Sequence, residues 1–267
     1  MVSEILVSGY TGFIGEYLCE ALQNSDINLV RIDLRNPDLV ESLSRVKSEV
    51  YLHLGESAYP DQEVNSASDE NTSLLLTGKF GRPIYFSSSL VYGTHGSVPF
   101  TQSTKTVSSS SYVKRKLLRE NLVLENLGVV LRVSNVYGRR NRNKGVVGKL
   151  IRSGMQKDFF DAGFNNAIRD FIHLSDLTKL VLEIVKAEIP SGVFHAGTGV
   201  GTSVRQICEI VQEFGVPLRI RGRFVEESDS DYNVLSIKEN RFPFHWEPFM
   251  DIKQGVERLI EEFIESK

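Results

Sequence analysis

A glycine-spaced turn, Gly9-Tyr10-Thr11-Gly12-Phe13-Ile14-Gly15, stands between the apolar run Ile5-Leu6-Val7 and a stretch with Phe13, Tyr17, Leu18, Ala21 and Leu22 at helical spacing. Strand, glycine turn and helix in that order confine the chain to a narrow group of α/β folds. The first glycine permits a tight turn, the second lets backbone N–H groups approach a pyrophosphate, and the third lets helix and sheet pack closely. The helix dipole favours the anion. Thr11, Phe13 and Ile14 are therefore expected around a dinucleotide together with Gly9, Gly12 and Gly15. Asp33 ends the next apolar stretch, 28–32, where a carboxylate accepts the ribose hydroxyl hydrogens. Such an acid disfavours a 2′-phosphate and favours NAD. Arg35, two residues on, offsets that charge and leaves room for NADP, with Leu34 between them at the same strand end. The bland reading of Asp33 is a turn residue.

Tyr112 and Lys116 stand four residues apart in SSYVKRKLLRE. On a helix, residues i and i+4 share a face, so phenol and ammonium converge on one ligand. The ordinary phenol pKa, about 10, is too high for a base at neutral pH, and a neighbouring ammonium favours the phenolate. Alone, such a pair reads as a solvated helix face. The serine run Ser87-Ser88-Ser89, which ends the apolar run 83–86, and the glycine turn change that reading toward nicotinamide redox chemistry.

Apolar runs near 4–8, 28–33, 50–54, 83–87 and 128–133 alternate with helical stretches, the pattern of a parallel doubly wound sheet. Asn36-Pro37-Asp38 reads as a helix start, with Leu39, Leu43 and Val46 on the buried face. From about residue 140 the pattern loosens. Val204, Ile207, Ile210, Val211 and Phe214 mark one amphipathic helix there, and Val256, Leu259, Ile260 and Phe263 another. Ligands in such sheets bind beyond the carboxyl ends of the strands, where Gly9, Asp33, Gly55, Ser88 and Asn135 would gather.

The 267 residues are 41% hydrophobic and 24% charged, enough for a core and a solvated surface. A net charge of −3 argues against nucleic-acid or membrane-surface binding. Cys19 and Cys208 fall in expected helices far apart in sequence and read as buried thiols. No apolar run approaches the roughly 20 residues of a membrane span, and no leader precedes the first strand, so the cytoplasm is the expected compartment. His173 has no second ligand at metal-binding spacing, and no metal is expected. His95 reads as a loop residue and Trp246 as an anchor for the last segment.

The chain resembles an extended short-chain dehydrogenase/reductase of the NAD-dependent epimerase/dehydratase family, over nearly its whole length. Besides the glycine turn and the Tyr-Lys pair, the likeness rests on His53-Leu54-Gly55, Asn65 with Asn71, SSSLVYG at 87–93 and LRVSNVYG at 131–138. It continues through RDFIHLSD at 169–176, GTGVGTSV at 197–204 and WEP at 246–248. The resemblance implies a Rossmann-like sheet (residues 1–140), with 141–267 mainly a smaller substrate-binding lobe. It also implies NAD, or NADP, held further by Leu54, Gly55, Ser87 and Val133, and a nucleotide-diphosphate sugar as substrate. Tyr112 would be the general acid/base toward a sugar oxygen, Lys116 would hold the nicotinamide ribose, and Ser88 would hydrogen-bond the same oxygen. A homodimer through the helix of Tyr112 and its neighbour would fit the family habit.

Departures from the family pattern narrow the reaction. Dehydratases carry Asp-Glu after the serine, where this chain has Ser89-Leu90, and no positioned pair for C3 or C5 epimerisation is visible. What remains is 4-epimerisation or reduction of a 4-keto sugar. Glu56 replaces a small residue after His53-Leu54-Gly55, putting a carboxylate near the expected pyrophosphate path. The family's diphosphate-gripping arginine gives way to acidic EESDSD at 226–231. Arg140, in the cluster Arg139-Arg140-Asn141-Arg142-Asn143-Lys144, and Arg169 are the expected substitutes, with Asn135 beside them. The rival from another class is a non-catalytic dinucleotide-binding sensor or assembly protein of the same fold.

Overall fold

The computed structural model describes residues 2, 4–25, 27–56, 66–96, 98–108, 110–138, 145–163, 167–187, 189–222, 224 and 231–265. The first half alternates β1 (Glu4–Ser8), α1 (Phe13–Gln23), β2 (Asn28–Ile32), α2 (Leu39–Ser42), β3 (Val50–His53), α3 (Ser66–Leu76) and β4 (Arg82–Ser88). A single 3-10 turn, Ser89–Tyr92, leads toward α4 (Ser111–Glu125) and β5 (Val129–Val133). The second half runs β6 (Asn135–Tyr137), α5 (Val146–Met155), β7 (Phe159–Gly163), β8 (Ile168–His173), α6 (Leu174–Lys186), β9 (Gly192–Ala196), β10 (Gly201–Ser203) and α7 (Val204–Glu213). It finishes with β11 (Arg219–Gly222), β12 (Tyr232–Asn233) and α8 (Ile252–Glu265).

Six strands form one sheet in the order β2-β1-β3-β4-β5-β9, every neighbour pair parallel. β3 and β5 are buried at every position, as strands covered on both faces must be. One face packs on α1 and α6 through Ile5, Val7, Leu18, Leu52, Leu131 and Leu177. The other packs on α2, α3 and α4 through Leu6, Leu39, Tyr51, Leu75, Tyr85 and Val123. The strand order turns back at β1, so the crevice beyond β1 and β3 is the place for a ligand.

The remaining elements build a second core around Leu150, Ile151, Phe160, Val211, Leu259 and Phe263, contributed by α5, β7, α7 and α8. β8 carries β6, β10 and β12 as partners and links this lobe to the sheet. Asp170, fully buried on β8, accepts from Thr198 N (2.8 Å), Thr198 Oγ1 (2.7 Å), Gly199 N (3.2 Å) and Leu235 N (3.3 Å), tying three chain segments together. Burial pushes its carboxyl above the ordinary carboxylate range, and those donors oppose the rise.

The five expected strands stand within one or two residues of their expected limits, and β9, from the second half, adds a sixth. A helix does start after Asn36-Pro37-Asp38, with Asp38 at its N-cap position, but α2 has only four residues, and Leu43 and Val46 follow in hydrogen-bonded turns. Their apolar contacts survive without the helix because both still reach the α3–α4 face of the sheet. Cys19 and Cys208 are buried thiols, Trp246 packs under the sheet edge with Phe242, and His95 is exposed. Among the described residues no helix is long and apolar enough to cross a membrane.

Candidate active site

β1 is followed by Gly9 with φ +71°, a backbone conformation that a side chain strains, and a Cβ there would press into the backbone of Leu54 and Gly55. A Cβ on Gly15 would meet the carbonyl oxygen of Gly9. Gly9 therefore serves a close approach between the β1–α1 turn and the end of β3, and Gly15 a close approach between α1 and that turn. Gly12 N–H donates to Gly9 O at 3.0 Å, and α1 starts at Phe13 without any side-chain cap. An uncapped helix start facing a glycine turn is a ready anion site, and these residues fit a dinucleotide pyrophosphate.

At the end of β2, Arg35 closes on Asp33 as a fork, with Nε at 2.9 Å from Oδ1 and an Nη at 2.8 Å from Oδ2. Those hydrogen bonds hold the Asp33 carboxyl below its ordinary range, though both side chains stand in solvent. The two residues weighed for NAD against NADP are thus one another's partners. Leu34 is buried against the Gly55 position, and Val133 is buried at the end of β5.

Ser110 caps α4 by accepting from Val113 N at 3.2 Å, which starts the helix one residue before Tyr112. Tyr112, Lys116 and Glu120 then follow at four-residue intervals on its buried face. Lys116 Nζ donates to Phe86 O at 2.7 Å and lies 5.7 Å from the centre of the Tyr112 ring. Burial draws the Lys116 ammonium down to about 8, while Tyr112 and Glu120 work in the opposite direction. Glu56 is its ion-pair partner, with Oε2 2.5 Å from Lys116 Nζ. Its carboxylate also accepts from Tyr85 OH at 2.7 Å, pairs closely with Arg119 and has Arg115 Nε at 3.6 Å. The sequence suggested Glu56 near the pyrophosphate path; its side chain, 8% exposed, is committed to the α4 cations.

Ser88 terminates β4 and caps the 3-10 turn, accepting from Leu90 N at 3.2 Å, and it is partly exposed. Ser87, the preceding strand residue, points the other way: its hydroxyl donates to Glu120 in the interior. Glu120 is clamped by Arg132 through Nε (3.1 Å) and an Nη (2.6 Å), and Arg132 also donates to Tyr92 OH at 2.6 Å. Tyr92 OH lies 2.7 Å from His195 Nε2, and His195 Nδ1 lies 2.7 Å from Ser236 O. A carbonyl only accepts, so Nδ1 carries the proton and Nε2 takes the Tyr92 hydrogen. Burial pulls His195 down to about 4, in keeping with this neutral form. The sequence reading did not foresee this chain of buried groups. Its one signal was a charge, Arg132, inside the otherwise apolar run Val129-Val130-Leu131-Arg132-Val133.

Asn135 and Arg169 meet on the wall of a pocket of about 290 Å³, with Val136, Tyr137, Val146 and Phe171 around them. Asn135 donates to Asp170 O at 3.3 Å. Arg169 donates to Asp231 O at 2.9 Å and approaches Asp231 Oδ2 at 3.5 Å. Arg140 and its neighbours 139–144, Asn65 and residues 226–230 lie outside the described residues. Asn71 donates to Leu34 O and Asn36 O, both at 2.9 Å, and so holds α3 to the chain after β2. His173 caps α6, accepting from Ser175 N at 3.2 Å, and burial pulls it down to about 4. A larger hollow of about 1020 Å³ opens between the loop after β9 and residues 246–254, and none of Gly9, Ser88 or Tyr112 lines it.

A parallel sheet with a glycine turn at its switch point, and a Tyr-Lys helix beside it, define a doubly wound protein of the dinucleotide-binding class. Residues 5–197 match the NAD dependent epimerase/dehydratase family, and the chain belongs to that family. It is 26% identical to the ADP-L-glycero-D-manno-heptose-6-epimerase of Brachyspira hyodysenteriae, over 96% of each chain. It is 24% identical to the dTDP-4-dehydro-6-deoxyglucose reductase of Escherichia coli, again over 96% of each. In three dimensions it is similar to the UDP-glucose 4-epimerase of Thermotoga maritima solved with UDP-glucose. The TM-score is 0.86 at 19% identity, covering 98% of this chain and 99% of that one.

Proposed function

We propose that the protein is an NAD(P)-dependent oxidoreductase of nucleotide-diphosphate sugars that works at the sugar's C4, as a 4-epimerase or a 4-ketoreductase. The observation that carries this reading is the pairing of Tyr112 with Lys116 on the buried face of α4, beside a glycine turn that fits a pyrophosphate. The N–H groups opening α1 would hold the phosphates, and Asp33 with Arg35 would meet the adenosine ribose. When bound, the nicotinamide exchanges a hydride with the sugar carbon. Tyr112 then takes or returns the proton on the sugar oxygen, Ser88 donates a hydrogen bond to that oxygen, and Lys116 favours the phenolate. Asn135 and Arg169 would meet the nucleotide end of the substrate in the pocket they share. Ser89-Leu90, in place of an acid pair, argues against dehydration. A homodimer through α4, whose Leu118 is 70% exposed, belongs to the same reading and is tested by sedimentation equilibrium.

The experiment is to denature the purified protein and weigh any released dinucleotide by mass spectrometry. Near-stoichiometric NAD supports epimerisation, in which the dinucleotide is regenerated at each turnover. Little retained dinucleotide, with NAD(P)H oxidised by 4-keto nucleotide sugars, supports the reductase. Dinucleotide binding without turnover of any nucleotide sugar overturns the reading in favour of a sensor or assembly protein.

A further inference from the structure

We infer that Glu56 is a positioning residue for proton transfer, orienting the Lys116 ammonium and supplying the negative charge against which the Tyr112–Lys116 pair works. The inference rests on the reading of Tyr112 and Lys116 given above and deepens it.

A lysine ammonium has three N–H donors. One is taken by Phe86 O and a second by Glu56, which leaves one for a ligand. The Lys116 head is therefore fixed from two sides, by a carbonyl of β4 and by a carboxylate following β3. Glu56 is fixed in turn by Tyr85 OH, Arg119 and Arg115, so it is a rigid anion rather than a surface side chain.

Among the described residues the other groups around Lys116 are few. α4 contributes Tyr112, Arg115, Arg119 and Glu120; β4 contributes the Tyr85 ring, 4.8 Å from Nζ; and Asp69 of α3 pairs with Arg119. His53 of β3 stacks on Tyr85 and is kept neutral by burial. Glu120 is already engaged by Arg132, so among the described residues Glu56 is the anion in direct contact with the ammonium.

Removing one negative charge lowers the pKa of every neighbouring group, phenol and ammonium alike. Glu56→Gln keeps the shape and removes the charge. It should move the titrations of Lys116, whose Nζ lies 2.5 Å from the carboxylate, and of the neighbouring Tyr112 to lower pH, by up to about one unit. Both limbs of the pH–rate profile should move in the same direction, which a role in packing alone would not cause.

The test is the ultraviolet tyrosinate titration of the full chain, taking the difference between wild type and Tyr112→Phe, repeated in the Glu56→Gln background. A midpoint displaced to lower pH is the expected result; an unmoved midpoint overturns the inference. Should Glu56→Gln fail to fold, Glu56→Asp withdraws the charge by one methylene and should give a smaller displacement of the same sign. No displacement there overturns the inference equally. Turnover is followed in parallel. A displaced midpoint in a protein that turns over no nucleotide sugar leaves the role of Glu56 standing and sinks the proposed activity. Turnover with an unmoved midpoint does the reverse.

Discussion

Tyr112 and Glu120 sit two turns apart on one helix face, yet their substitution should have different consequences. Tyr112→Phe removes only a hydroxyl at the proton-transfer position. Turnover should fall about 10²- to 10⁴-fold while dinucleotide affinity, read by fluorescence titration, stays within a factor of two or so. Turnover equal to wild type would remove Tyr112 from the chemistry. Glu120→Ala leaves Arg132, 7% exposed, without its carboxylate and Ser87 without an acceptor. An uncompensated buried charge costs about 3–5 kcal/mol, so the urea midpoint should drop sharply, and an unchanged midpoint would show the pair to be dispensable. Tyr112 was visible in the sequence because the four-residue spacing to Lys116 is a property of one helix. Glu120 was not, because its partners come from β4 and β5.

The β1–α1 turn shows how a local motif constrains neighbouring elements. Gly15 belongs to α1, and a Cβ on it would run into the Gly9 carbonyl. Gly15→Ala should therefore push α1 away from the turn, costing about 1–3 kcal/mol as overpacking does, and weaken dinucleotide binding at the same time. Calorimetry with and without NAD checks both effects, and an unaltered melting temperature with intact binding would contradict the packing role. Strand positions were legible because buried parallel strands read as short apolar runs bounded by turns. After β2 the helix start and its buried residues were legible, while the length of the helix was not. Leu39, Leu43 and Val46 have helical spacing, but four helical residues and a series of turns bring the same side chains to the α3–α4 face of the sheet.

Three of the five histidines, His53, His173 and His195, are buried, which makes the stability of the whole molecule depend on pH. His173 and His195 are drawn to about 4, below the ordinary value of 6.5, chiefly by burial. A histidine whose folded pKa lies below its unfolded one contributes fully above pH 6.5, and that contribution is lost as pH falls toward 4. Each can remove up to about 1.4 kcal/mol per pH unit in that window. Asp170, raised by burial, acts with the opposite sign. Melting temperatures measured at intervals from pH 7.5 to about pH 4.5 should decline, and His195→Gln should flatten the decline. A flat wild-type profile would refute it.

Chain-local chemistry accounts for everything the sequence disclosed: the glycine turn, the apolar strands, the Asp33–Arg35 strand end and the Tyr112–Lys116 helix face each lie within a few neighbouring residues. Their physics is turn geometry, side-chain periodicity and i,i+4 proximity, all written in order along the chain. Folding alone assigned the rest. It set Glu56 against Lys116 and Tyr85, turned Ser87 inward to Glu120, and joined Tyr92 to His195 across 103 residues. A charged residue bears no local mark of whether it will be buried. Once the sheet encloses it, the cost of an unpaired charge makes its partner the decisive fact, and that partner is chosen by topology.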